Sequence, residues 1–135
     1  MAGKKGGVGL STACFYPMET EKALRIALKA GVRDFEVHPS TFSEVTGGYL
    51  KDMRRMLRSF DARVAALHPF YSLLESAMFF SDYNERRFAD GMEIYRQYFH
   101  AAAVLGAPYL VFHGGSTVGK SRCDRPATRQ GADDP

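Results

Sequence analysis

The stretch KAGVRDFEVHPS, residues 29–40, contains a complete join between a helix and a strand. Gly31 stands where a helix C-cap glycine belongs, Val32–His38 is a compact β-prone run, and Pro39 with Ser40 closes it. Upstream, EKALRIALKAG (residues 21–31) sets Leu24, Ala27 and Leu28 on one helical face, after Glu19 and Thr20. Before that helix and Pro17, the small and apolar residues of Val8–Phe15 suit a strand buried on both faces. The order so far is strand, helix, stop, strand.

Downstream the alternation continues. Val45, Tyr49, Leu50, Met53, Leu57 and Phe60 have the three-and-four spacing of a helix packing one face, with Gly47 and Gly48 weakening its first turn. Ala62–His68 reads as a third strand, nearly all apolar and ended by Pro69. FYSLLESAMFFSDYN (residues 70–84) is a long aromatic loop suited to walling a pocket. Its Tyr71, Phe79 and Phe80 are read as loop packing in preference to a sugar platform. A third helix is expected from about Glu85 to Gly106, with Phe88, Met92, Tyr95, Phe99, Ala102 and Leu105 sharing a face. Ala107–Gly115 is the fourth strand. Four βα-type units in strict order predict an α/β fold with a parallel sheet and right-handed crossovers.

A chain of 135 residues suffices for one core, whereas a complete eight-fold βα barrel typically takes ~250 residues. Hydrophobic and charged fractions of 45% and 24% are those of an ordinary globular protein. The net charge of +3 comes from the two ends, through Lys4 and Lys5 and through Lys120, Arg122, Arg125 and Arg129 against Asp124, Asp133 and Asp134. The folded part is balanced, which argues against a nucleic-acid surface. Cys14 and Cys123 make neither a disulfide framework nor a metal-type pair, so a reducing cytoplasm is expected. No segment approaches the ~20 apolar residues of a membrane span.

From Ser116 the sequence loses its periodicity, and the tail 116–135 is expected to be disordered or aberrant. GGSTVGKS, residues 114–121, matches the phosphate-binding pattern GxxxxGK[ST] and follows a strand. The pattern works only when its Lys and Ser open a helix, and SRCDRPATRQGADDP (residues 121–135) has no apolar face to form one. The match is read as a coincidence in a glycine-rich turn. The amides of Gly114 and Gly115 could still hold the phosphate of a sugar phosphate.

GLSTACFYPMETEKAL, AGVRDFEVH, VAALHPF and RRFADGMEIYRQYFHAAAVLGAPYLVFHGG together resemble the xylose isomerase-like, sugar phosphate isomerase/epimerase superfamily, over residues 7–115. The resemblance implies half of a (β/α)8 TIM barrel, with four strands and three helices, between a flexible segment 1–6 and the tail. It also implies a site at the C-terminal mouth of the strands. The corresponding residues are Glu36 and His38 after strand two, His68 after strand three and His113 after strand four. The metal-dependent members commonly take their principal ligands from strands five to eight. The related apurinic endonucleases use histidines at the ends of strands three and four as zinc ligands, which His68 and His113 match by position. Two imidazoles are too few for a catalytic zinc, and Glu36 could supply a third ligand.

Each of these residues also has a plain structural reading. His68 and His113 could hydrogen-bond locally, His38 could cap its loop, and His100 is read as a surface residue in mid-helix. An unpaired carboxylate at Glu36 would be costly to bury, which favours a polar mouth. The expected function is isomerisation or epimerisation of a keto sugar or sugar phosphate. Glu36 is the catalytic candidate, His38, Gly114 and Gly115 the substrate contacts, and His68 and His113 the ligands of a divalent Zn, Mn or Mg. On its own such a half barrel is expected to be a truncated, inactive form. The alternative is a non-catalytic half barrel that closes only with a second copy or a separate C-terminal half. A phosphodiesterase acting on abasic DNA is disfavoured by the balanced charge.

Overall fold

The structure, a computed structural model, describes residues 7–70 and 84–113. Four strands, β1 (Leu10–Ser11), β2 (Asp34–Val37), β3 (Arg63–Leu67) and β4 (Tyr109–Leu110), alternate with three α-helices. These are α1 (Thr20–Lys29), α2 (Gly47–Ser59) and α3 (Glu85–Leu105). The strands pair in sequence order and all pairs are parallel, so the fold is α/β with one four-stranded parallel sheet. The aromatic loop beyond Phe70, the turn with Gly114 and Gly115, and the tail lie outside the described residues.

Alternation along β2 sends Phe35 and Val37 to one face, fully buried, and Asp34 and Glu36 to the other, half-buried. The buried face meets Leu24 and Leu28 of α1, Leu50, Met53 and Leu57 of α2, and Tyr98, Ala101 and Leu105 of α3 in one continuous core. On β3 the buried residues are Val64 and Leu67, three apart, which strict alternation forbids. The register explains it: Phe35 pairs with Val64 but Glu36 pairs with Ala66, so Ala65 is an extra residue. The irregularity lies directly beside Glu36. No helix among the described residues is long and apolar enough to cross a membrane.

Gly31 acts as the expected helix stop, and Gly106 does the same at the end of α3. Gly31 and Gly106 follow α1 and α3 with φ of 96° and 76°, a left-handed conformation that glycine adopts without strain. The first and fourth strands are shorter than expected: of Ala107–Gly115 only Tyr109 and Leu110 pair among the described residues, and of Val8–Phe15 only Leu10 and Ser11 pair, with Thr12–Phe15 winding into a 3-10 turn. The reason in the first strand is local, since the Ser11 side chain accepts the Ala13 N–H and so starts the turn.

Helix α3 also buries a different stripe from the one expected. Phe88 and Phe99 are exposed, whereas Tyr98 and Ala101 join Tyr95, Ala102 and Leu105 inside. Residues 91, 95, 98, 102 and 105 have the same three-and-four spacing, so periodicity alone cannot choose the edge of the stripe. The phenol of Tyr98 decides in its favour, because its oxygen accepts the Phe70 N–H at 3.3 Å and the buried hydroxyl is not orphaned. In α2, Tyr49 faces solvent, while Leu50, Met53 and Leu57 form the buried side.

Candidate functional site at the strand ends

In a parallel sheet every strand delivers its last residue to the same edge. Here that edge gathers Ser11, Glu36, His38, His68 and His113. The ladder continues one step past β3 and β4: His68 N donates to Val37 O, and Val111 N to Leu67 O, both at 2.8 Å. The first bond fixes where the His68 side chain starts, and the second anchors the chain two residues before His113.

Glu36 is the centre of the group. Ser11 Oγ donates to its Oε1 at 2.7 Å, and His68 Nδ1 lies 3.3 Å from the same oxygen. The His68 ring meets the His38 ring edge-on, with centroids 5.0 Å apart. It stacks on His113 at 5.1 Å and 28°. Partial burial pushes the Glu36 carboxyl up, but the hydrogen bonds from Ser11 and His68 and the nearby charge on His68 and His38 outweigh it. The net shift is downward, so Glu36 is held as a carboxylate. His38 also titrates below its ordinary value, because burial and the neighbouring His68 charge both disfavour its cation.

Thr12 locks the backbone beneath His38. The His38 N–H donates to Thr12 Oγ1 at 2.8 Å, and the Thr12 and Thr20 hydroxyls lie 3.3 and 3.2 Å from His38 O. Behind them is Glu44, buried to 3% exposure, which sequence reading missed. It accepts from Thr20 N and Oγ1, from Ser40 N and from Thr41 N, at 2.5–3.2 Å. Its charge sits at the N-terminus of α1, where the helix dipole and free amides favour an anion. A signal did exist, since Thr41-x-x-Glu44 has the capping-box spacing.

The structure therefore brings together four of the sequence-derived candidates, Glu36, His38, His68 and His113. Gly114 and Gly115 fall outside the described residues, and His100 is exposed on α3. Ser11 and Thr12 were missed because they lay inside what read as a plain apolar strand. Nitrogen and carboxylate donors are suitable chemistry for a divalent cation, yet their placement does not fit one. Among the described residues no three His, Cys, Asp or Glu side chains form a group able to hold a metal ion. His68 and His113 turn ring faces to each other, whereas a ligand nitrogen binds metal through its in-plane lone pair. No protein-family model matches the chain, and no curated protein matches it.

Proposed function

We propose that this chain is part of a (β/α)8-type barrel of the sugar isomerase and epimerase kind, acting on a keto sugar or sugar phosphate. The observation that carries the reading is the meeting of Glu36, His38, His68 and His113 at the C-terminal ends of three adjacent parallel strands. Moving a hydrogen between neighbouring carbons requires a base beside the C–H next to a carbonyl, and donors for the oxygens of the enediolate. A carboxylate and three imidazoles supply both kinds of group in one cluster. The described residues offer no site for the divalent cation expected of such chemistry, Zn, Mn or Mg, since the rings of His68 and His113 stack face to face. No step assigned to Glu36 or the histidines here depends on it.

The test is proton exchange in D2O. The purified chain is incubated with a panel of aldoses, ketoses and their phosphates, with each cation in turn. Incorporation of deuterium at the carbon beside the carbonyl, lost in Glu36→Gln, is the expected result. Absence of exchange with every sugar and cation counts against the reading.

A second reading is a half barrel that closes with another copy, and the open sheet edges favour it. Among the described residues, β1 and β4 each pair on one edge only, and Tyr109 of β4 is register partner of Ala66. Tyr109 is 72% exposed. Pairing β4 of each copy with β1 of the other would close a ring of parallel strands and bring two Glu36–His68 pairs to one mouth. Light scattering should then give twice the chain mass, and a monomer at all concentrations rules it out.

A further inference from the structure

We infer that Ser11, acting through Glu36, fixes the proton of His68 on Nδ1, so that Nε2 offers a lone pair to a ligand hydroxyl at the mouth of the sheet. The inference rests on the sugar reading only for the nature of that ligand, a polyol. The position of the proton follows from the contacts alone.

The Ser11 hydroxyl has one proton to give. Its oxygen already accepts the Ala13 N–H at 3.4 Å, which orients the hydroxyl from the turn side, and the proton goes to Glu36 Oε1 at 2.7 Å. Ser11 and Glu36 are also register partners across β1 and β2, so both backbones hold this bond in place. The ionised Glu36 can only accept, and its Oε1 has a second lone pair. His68 Nδ1 is 3.3 Å from that oxygen. Were Nδ1 unprotonated, its lone pair would face the carboxylate lone pairs with nothing between them. The Nδ1–H form turns the same contact into a charge-assisted hydrogen bond.

The ring has little freedom to escape the contact. His38 meets it edge-on on one side and His113 stacks on the other. With Nδ1 committed, Nε2 becomes the acceptor, and among the described residues no hydrogen bond to Nε2 is made. His68 keeps 23% of its side chain exposed at the mouth of the sheet. Ser11 is therefore a positioning residue that acts through Glu36.

The test reads the proton directly, by long-range 1H–15N correlation on the full chain with 15N-labelled histidine, at a pH where imidazole is neutral. In the native chain, His68 should show a protonated Nδ1 and an unprotonated Nε2. Ser11→Ala and Glu36→Ala should shift it toward a mixture of tautomers, and Ser11→Thr, which keeps the hydroxyl, should restore the native pattern. A merely structural role for Ser11 would change thermal stability without moving the tautomer. Protonated Nε2 in the native chain overturns the inference, and so does an unchanged tautomer in either alanine variant. The native measurement needs no variant, so a misfolded substitution cannot hide the answer. A native His68 with protonated Nδ1 in a chain that exchanges no sugar proton supports this inference while counting against the sugar reading.

Discussion

Glu44 meets Thr20 with both carboxylate oxygens: Thr20 N donates to Oε1 at 3.1 Å and Thr20 Oγ1 donates to Oε2 at 2.9 Å. The contact ties the loop after β2 to the first turn of α1, directly behind His38. It gives the floor of the candidate site a fixed shape before any ligand arrives.

Removing that carboxylate should therefore cost more than removing an ordinary surface acid. Glu44→Ala leaves the amides of Thr20, Ser40 and Thr41 without their acceptor, and a loss of about 3 kcal/mol is expected. Glu44→Gln keeps one acceptor oxygen and should lose about half as much. Urea unfolding of the two variants measures both, and equal stability of Glu44→Ala and the native chain would refute the assignment.

Acid should destabilise the fold in two stages. His38 and Glu36 both titrate below their ordinary values of 6.5 and 4.5 in the folded chain. For each, the unfolded chain takes up its proton at a higher pH than the folded one, so falling pH favours unfolding. Their contributions are complete above the ordinary value and fade as pH drops through the folded one, His38 first and Glu36 second. The groups facing them are His68 and Glu44. Urea midpoints between about pH 8 and about pH 4 should fall in that order. His38→Asn should flatten the upper part of the profile and Glu36→Gln the lower.

The face of α3 can be checked with two neighbouring substitutions. Tyr98 is fully buried and Phe99 is 56% exposed. Tyr98→Ala should cost about 3 to 4 kcal/mol, through a cavity and a lost partner for Phe70 N, and Phe99→Ala no more than about 1. Comparable losses at the two positions would mean that the buried stripe lies elsewhere.

At Gly106 the cost should be conformational alone. A Cβ there would meet nothing within 4 Å, yet φ is +76°. Gly106→Ala should lose about 1 kcal/mol and Gly106→Asn less, since Asn tolerates the left-handed region. Thermal unfolding of both variants would show it.

The sequence by itself determined the order of elements and the direction of the sheet. Gly31, Pro39 and Gly106 mark stops whose backbone requirements are local, and a helix between successive strands leaves parallel pairing as the economical connection. It also placed Glu36, His38, His68 and His113 near the C-terminal ends of their strands, although His113 lies three residues beyond β4, and strand ends in a parallel sheet share one edge. Tertiary structure decided which atoms meet there. The extra residue at Ala65, the turn that shortens β1, the choice of Tyr98 over Phe99 and the reach of Glu44 to Thr20 all depend on partners far along the chain. Periodicity reports a residue's own face, whereas a hydrogen bond such as Ser11 to Glu36 exists only once β1 and β2 lie side by side in register.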